Sequence, residues 1–188
     1  MPFVAPWWLM SLFNSGLRWL IQRPEPIVGP HIAPGATVLD VGCGPGYFSL
    51  PMAAMVGPGG TVIGVDLQQR SLDIVRLRAA RLHVDERIRT VLCQRNDIGV
   101  REPVDFALAF YMVHETPDAE ATLRQIAECL KPQGALLLVE PIFHVRRSAF
   151  EATVRTAEGI GLEVVARPRI RFSRAVLLAR ADRNNMGG

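Results

Sequence analysis

The chain has 188 residues, of which 49% are apolar and 21% are charged, so one folded domain is expected and a disordered chain is excluded. Its formal net charge is +3, and Lys131 is the single lysine among 21 basic residues, which we attribute to codon usage. The three cysteines are not closely spaced, which predicts a protein of the reducing cytoplasm without a disulfide framework or a metal site. Neither a membrane-spanning helix nor a secretory signal is expected, because no apolar run of about 18 residues occurs and no basic stretch precedes an apolar one.

The first 30 residues are predicted to form an amphipathic cap helix and a linker. Apolar side chains recur at helical spacing over residues 6–22, and the two prolines within residues 23–26 end the pattern. Three roles are open for this helix: a lid over a binding pocket, a surface for a homodimer, or an anchor at a membrane interface. Only Arg18 and Arg23 lie nearby as cations, which favours the lid or the dimer surface over the membrane.

From Thr37 onward, short apolar strands alternate with Gly-rich turns and helices. Strands are expected at residues 37–41, 61–65, 87–93, 104–110, 135–139, 162–170 and 175–179. Helices are expected at residues 47–56, 69–83, 118–130 and 148–158, and the second of them is predicted to turn four apolar side chains inward, Leu72, Val75, Leu77 and Leu82.

This alternation predicts an α/β domain over residues 31–183 with a Rossmann-like, doubly wound and mostly parallel sheet. The connection between the last two strands is too short for a crossover helix, so the last strand should be antiparallel. Residues 184–188 are expected to be a frayed tail.

The loop between the first strand and the first helix carries the clearest chemical signal. It contains Gly42, Gly44 and Gly46, and Asp40 precedes it. Glycines allow a tight turn and let a ligand approach the backbone amides, while a helix N-terminus favours an anionic group. Asp66 ends the second strand, where a carboxylate is suited to accept both hydroxyls of a ribose. Together these residues predict a site for a nucleotide-like cofactor.

The glycine spacing discriminates between two classes of cofactor. A dinucleotide loop needs G-x-G-x-x-G, whereas this loop reads G-x-G-x-G and has Tyr47 where the third glycine would stand. Asp40 would repel a diphosphate and suits a cofactor with a cationic amino-acid end. An NAD-dependent oxidoreductase is therefore the less favoured alternative.

These features resemble the class I S-adenosylmethionine (SAM) dependent methyltransferases, in particular the ubiquinone/menaquinone-biosynthesis group, methyltransferase type 11. The resemblance covers residues 30–180 and includes, besides the loop and Asp66, residues 96–98, 110–115 and 130–134. Gln133 departs from the pattern, since a second glycine is usual there. The resemblance implies a seven-stranded sheet and SAM as the cofactor.

The resemblance also implies roles for individual residues. The three loop glycines would surround the methionine part of SAM, and Asp66 would hold the ribose hydroxyls. Leu67 would pack on the adenine, with Asp97 binding its exocyclic amine and Ile98 lying nearby. Phe110 would approach the cofactor from the end of the fourth strand.

Candidate catalytic residues follow the fourth and fifth strands. His114 and Glu115 come after the fourth strand, on the cofactor side of the resembled fold, and either could take a proton from the methyl acceptor. The alternative is that His114 only lines the pocket and Glu115 caps or pairs at the surface. Glu140 and His144 follow the fifth strand. We expect them to form a turn at the start of a helix, with His144 exposed, rather than part of the catalytic site.

The positive charge is concentrated toward the C-terminus, with a net +5 from residue 146 onward and −2 over residues 1–145. Arg167, Arg169 and Arg171 alternate along an extended segment and should share one face. We expect Arg146, Arg167 and Arg169 to rim the acceptor pocket and to favour a carboxylate or phosphate substrate. Solvated arginines on a sheet edge are an equal alternative.

The sequence therefore predicts a SAM-dependent methyltransferase that acts on a small molecule, anionic or hydrophobic. The alternative outside the enzymes is a protein module that binds SAM without catalysing a reaction. A nucleic-acid acceptor is disfavoured, because methyltransferases acting on base amino groups typically carry an Asn/Asp-Pro-Pro-Tyr/Phe segment after the fourth strand, where residues 110–113 read Phe-Tyr-Met-Val.

Overall fold

Seven strands form one sheet in the computed structural model, which describes residues 22–180. The strands are β1 (Thr37–Val41), β2 (Thr61–Asp66), β3 (Ile88–Leu92), β4 (Val104–Phe110), β5 (Leu130–Pro141), β6 (Leu162–Ala166) and β7 (Ser173–Arg180). Their order across the sheet is β3-β2-β1-β4-β5-β7-β6. Strands β1 to β5 pair in parallel, and β7 is antiparallel to both β5 and β6. The predicted doubly wound sheet with an antiparallel last strand is confirmed.

Helices cover both faces of this sheet. They are α1 (Pro24–Val28), α2 (Ser49–Val56), α3 (Gln69–Arg81), α4 (Ala119–Cys129) and α5 (Arg147–Gly159). Side chains of α1 to α3 pack on one face with Val38 and Leu108, while α4 and α5 pack on the other with Leu39 and Ala107. Among residues 22–180, no helix combines the length and the apolar character needed to cross a membrane.

Several predicted boundaries are wrong for identifiable reasons. Residues 24–28 form a helix instead of a linker, because proline is well tolerated in a first helical turn. Strand β6 ends at Ala166 rather than at residue 170, and Pro168, which has no N–H to donate, lies just beyond it. Leu77 and Leu82 are exposed, because the buried face of α3 consists of Ser71, Leu72, Val75 and Ala79.

Strand β5 also differs from its prediction, because it begins at Leu130 instead of residue 135. Leu130 pairs with Val104, and the register then shifts so that Phe106 pairs with Ala135. Gln133, the residue that departs from the family pattern, adopts a positive φ of 65° in this stretch. The predicted helix over residues 6–22, apart from Gln22, and the tail at 184–188 lie outside the described residues.

The topology fixes where a ligand can bind. The chain passes from β1 to β2 on one side and later returns to β4 on the other side of β1. In an open α/β sheet, such a switch point leaves a crevice outside the carboxyl ends of the strands. The loops after β1, β2, β4 and β5 meet at this edge, which we call the carboxyl edge.

Candidate cofactor and acceptor site

The glycine loop follows β1 and is tied to the end of β2. Gly42, Gly44 and Gly46 have φ values of 73°, 52° and 86°, a region that favours glycine. The N–H groups of Gly42 and Cys43 donate to the carbonyl of Val65 at 2.8 and 2.9 Å. A Cβ on Gly42 would lie 2.8 Å from the Cβ of Met112, so the loop is held closely beneath the segment after β4.

Asp66 is buried beside this loop and fits the role of a ribose acceptor. Its Oδ2 accepts the Gly44 N–H at 2.9 Å, and its Oδ1 accepts the Gln68 N–H at 2.8 Å. Burial raises the pKa of Asp66, and the hydrogen bonds from Gln68 and Gly44 offset only part of that rise. A carboxylate has about four acceptor positions, so each oxygen retains capacity for a ligand hydroxyl. The residues present therefore fit a ribose-bearing cofactor, and exposed Leu67 offers an apolar surface next to it.

Asp40 places a second carboxylate next to the glycine loop. It is buried at the end of β1, and the Ser49 hydroxyl, at the start of α2, donates to its Oδ2 at 2.5 Å. This contact links the strand before the loop to the helix after it. The carboxyl group that the sequence predicted beside the loop thus lies next to it.

Asp97 and Ile98 lie in the turn after β3 and differ in accessibility. Asp97 is half-exposed, and its Oδ1 accepts the Gly99 N–H and an Arg101 N–H, each at 2.8 Å. These two hydrogen bonds lower the pKa of Asp97 and keep it ionised. Ile98 is buried in the core, and its N–H donates to the Gln125 side chain at 3.0 Å. Asp97 is therefore available to an adenine amine, while Ile98 contributes packing.

Phe110 ends β4 inside an aromatic cluster. Its ring centroid lies 4.5 Å from that of Phe48 and 4.4 Å from that of Tyr111, and it is buried. Phe48 precedes α2 directly and lies two residues after Gly46. Phe110 therefore packs in the core beside Phe48, and its predicted approach to the cofactor stays a prediction.

His114 and Glu115 lie in a short 3₁₀ turn (Val113–Glu115) after β4. The His114 N–H donates to Glu140 Oε1 at 3.0 Å, and the His114 Nδ1 lies 2.5 Å from Glu140 Oε2. Glu140 is only 2% exposed and comes from the end of β5, the strand next to β4. The contact of Glu140 with His114 was not predicted from the sequence. The signal that could have indicated it is an acidic residue at the end of the strand next to β4.

The electrostatics of this group favour a proton-accepting histidine. Burial by itself lowers the pKa of His114, but the hydrogen bond and charge of Glu140, aided by Glu115, outweigh it and raise the pKa overall. Because the Glu140 carboxylate accepts the Nδ1–H, Nε2 is the ring nitrogen left to take a proton. Glu115 Oε1 lies 3.9 Å from Nε2, and burial raises the pKa of Glu115.

The arginines at the carboxyl edge differ in whether a carboxylate pairs with their charge. Arg167 is paired with Glu151 through two contacts of 2.9 Å, which offsets its charge. Arg146 and Arg169 are exposed, and their guanidinium groups make no hydrogen bond or ion pair with residues 22–180. The strand predicted over residues 162–170 is too long, because β6 ends at Ala166. Arg167, Arg169 and Arg171 are nevertheless exposed and alternate with two less exposed residues.

Known proteins match both the sequence and the fold. Residues 38–134, just over half of the chain, match the family model described as a methyltransferase domain. A demethylmenaquinone methyltransferase of Symbiobacterium thermophilum is 30% identical over 132 residues, which are 70% of this chain and 53% of that protein. A ubiquinone biosynthesis O-methyltransferase of Xanthomonas campestris pv. campestris is 33% identical over 137 residues, which are 70% of this chain and 54% of that protein. The chain spans about half the length of these curated relatives.

Among solved structures, a SAM-dependent methyltransferase from Aquifex aeolicus superposes with a TM-score of 0.82 at 20% identity, over 94% of this chain and 99% of that one. This likeness shows the fold. The chain belongs to the methyltransferase domain family.

Proposed function

We propose that the chain transfers a methyl group from SAM to an oxygen of a small molecule, with His114 as the general base. The observation that carries the proposal is the contact of His114 with the buried carboxylate of Glu140, at the same edge of the sheet as Asp66. When bound, SAM supplies an electrophilic methyl group on a sulfonium centre. The chain's own residues then bind the cofactor, orient the acceptor and move a proton.

In this proposal, the cofactor is held by the loop after β1 and by the ends of β2 and β3. The backbone of Gly42, Gly44 and Gly46 and the nearby charge of Asp40 receive the amino-acid part. Asp66 accepts the ribose hydroxyls, while Leu67 and Asp97 bind the adenine. Most of the rate enhancement in such a transfer comes from orientation and exclusion of water, which a packed loop provides.

The acceptor side is assigned to His114, Glu115 and Glu140. Glu140 fixes the ring of His114, so that Nε2 can take the proton of an acceptor hydroxyl as the new bond to carbon forms. Glu115 then stabilises the protonated ring through its charge. The Xanthomonas campestris relative is named an O-methyltransferase, which supports an oxygen acceptor. The uncompensated Arg146 and Arg169 support an anionic one.

The test is methyl transfer to a panel of acceptors, measured as formation of S-adenosylhomocysteine and of methylated product. The panel contains phenols, hydroxy acids, amines and bulk RNA. We expect turnover with a hydroxyl acceptor, and His114→Asn should lower kcat about 100-fold while leaving SAM affinity unchanged. His83→Asn, which changes an exposed histidine beyond α3, is the matched control.

Tight SAM binding without product from any acceptor would instead support the SAM-binding module, and preferential binding of NAD would contradict the cofactor assignment.

A cytoplasmic location is part of the proposal and is supported by the three free cysteines. Fractionation of cells that produce the chain tests it.

A further inference from the structure

Asp97 lies in a tight turn that follows β3, the strand at one edge of the sheet. The Cys93 N–H at the start of this turn donates to the Asp66 carbonyl at 3.0 Å, which holds the turn beside the proposed ribose acceptor. The Gln94 N–H donates to the Asp97 carbonyl at 2.9 Å, and the Asp97 N–H donates to the Gln94 carbonyl at 3.2 Å. Because β3 is an edge strand, the turn has a neighbouring strand on one side only. The other side is held by a side chain.

That side chain belongs to Gln125, on α4. Its Oε1 accepts the Ile98 N–H at 3.0 Å, and its Nε2 donates to the Asn96 carbonyl at 2.9 Å. These two groups belong to the two peptide units that flank Asp97, so one glutamine amide holds both of them. Ile98 is 5% exposed and lies in the same core cluster as Ile126 of α4, which keeps the helix against the turn.

This arrangement leaves one oxygen of the Asp97 carboxylate for a ligand. Its Oδ1 accepts the Gly99 N–H and an Arg101 N–H, each at 2.8 Å, whereas its Oδ2 accepts no hydrogen bond from residues 22–180. A carboxylate is an acceptor only, so it suits the exocyclic amine of adenine and repels the carbonyl oxygen that hypoxanthine carries at the same ring position. A site built around such a hydrogen bond discriminates strongly against a base that cannot make it.

We propose that Gln125 is a positioning residue that sets the preference of this site for an adenine base. It acts through Asp97, because it fixes the two peptide units on either side of that residue. A half-exposed carboxylate discriminates well only while its backbone is held in one place, since a carboxylate that moves relieves its repulsion of a wrong base. The inference rests on the proposed role of Asp97 toward adenine and adds the residue on which the selectivity of Asp97 depends.

The test is titration calorimetry of the full chain with two probes, S-adenosylhomocysteine and its deaminated counterpart S-inosylhomocysteine. The readout is the ratio of the two dissociation constants, because a loss of folded protein affects both titrations alike. The unaltered chain should prefer the adenine probe. Gln125→Met, which keeps the length of the side chain and makes neither hydrogen bond, should lower this preference about fivefold.

Two further variants keep the test independent of how well Gln125→Met folds. Gln125→Glu, which cannot donate to the Asn96 carbonyl, should also lower the preference for the adenine probe. Arg124→Met, which changes an exposed neighbour on the same helix, is the matched control and should leave the preference unchanged.

Asp97→Ala, measured in the same way, separates this inference from the proposed function. It should lower the preference about 30-fold, because a hydrogen bond to a charged group is lost. If Asp97→Ala does so while both Gln125 variants keep the original preference, even with weaker binding of both probes, Gln125 only ties α4 to the turn. The inference is then overturned and the role of Asp97 stands. If Asp97→Ala leaves the preference unchanged, or the unaltered chain has none, the adenine role of Asp97 and the inference both fail.

Discussion

The cofactor side and the acceptor side of the carboxyl edge are built in different ways. The cofactor side consists mostly of backbone N–H groups and the buried carboxyl groups of Asp40 and Asp66, as in the Gly44–Asp66 contact of 2.9 Å. The acceptor side consists of side chains from two neighbouring strands, as in the His114–Glu140 contact of 2.5 Å. Backbone groups can bind the same cofactor in many chains, whereas a pair of side chains suits one kind of acceptor. The two sides therefore need different tests, SAM binding for the cofactor side and turnover of an acceptor for the acceptor side.

The largest effect is expected on the cofactor side, from Asp66→Ala. Two hydrogen bonds from ligand hydroxyls to a charged group are lost, each contributing roughly 1.5–3 kcal/mol. SAM affinity should therefore fall about 1000-fold. Titration calorimetry measures the change, and Asp73→Ala, an exposed aspartate on α3, is the control. Retention of SAM affinity within a factor of about three would show that Asp66 does not hold the cofactor.

The next effect is expected on the acceptor side, from Glu140→Gln. Glu140 raises the pKa of His114 above its usual 6.5, so the base becomes competent only as pH rises through that raised pKa. Removing the charge leaves the effect of burial, with Glu115 and His144 as the remaining titratable neighbours, so the ascending limb of kcat against pH should move to lower pH. The maximal rate should fall about tenfold, because the ring loses its fixed orientation.

A pH–rate profile of both chains with one hydroxyl acceptor checks this prediction. Glu128→Gln, an exposed glutamate of α4, should leave the profile unchanged. If the ascending limb of kcat against pH lies at the same pH in Glu140→Gln as in the unaltered chain, another group accepts the proton.

The smallest effect is expected at the rim, where two arginines can be compared directly. Arg169→Ala should raise the KM of an anionic acceptor by a factor of about three, and the effect should shrink at high salt. Arg167→Ala should change KM less, because Glu151 already offsets the charge of Arg167. Equal effects of the two substitutions would contradict this distinction.

The sequence was most informative where a function depends on local spacing. The glycines, Asp66 and the alternation of strands and helices could be predicted, because each depends on residues close together in the chain. The role of Glu140 was missed, since its contact with His114 forms only once β5 has paired with β4. The pairing of Arg167 with Glu151 likewise depends on how α5 lies against the end of β6. Side-chain pairs formed by packing were therefore missed, whereas backbone sites were predicted.

The joint action of His114 and Glu140 is tested most directly by a double-mutant cycle on the rate of methyl transfer. His114→Asn, Glu140→Gln and the double variant are compared with the unaltered chain at saturating SAM and acceptor. If Glu140 acts through His114, the double variant should be no slower than His114→Asn alone, because the effect of Glu140 disappears with the base. Rate losses that multiply in the double variant would contradict the proposal and assign the two residues independent roles.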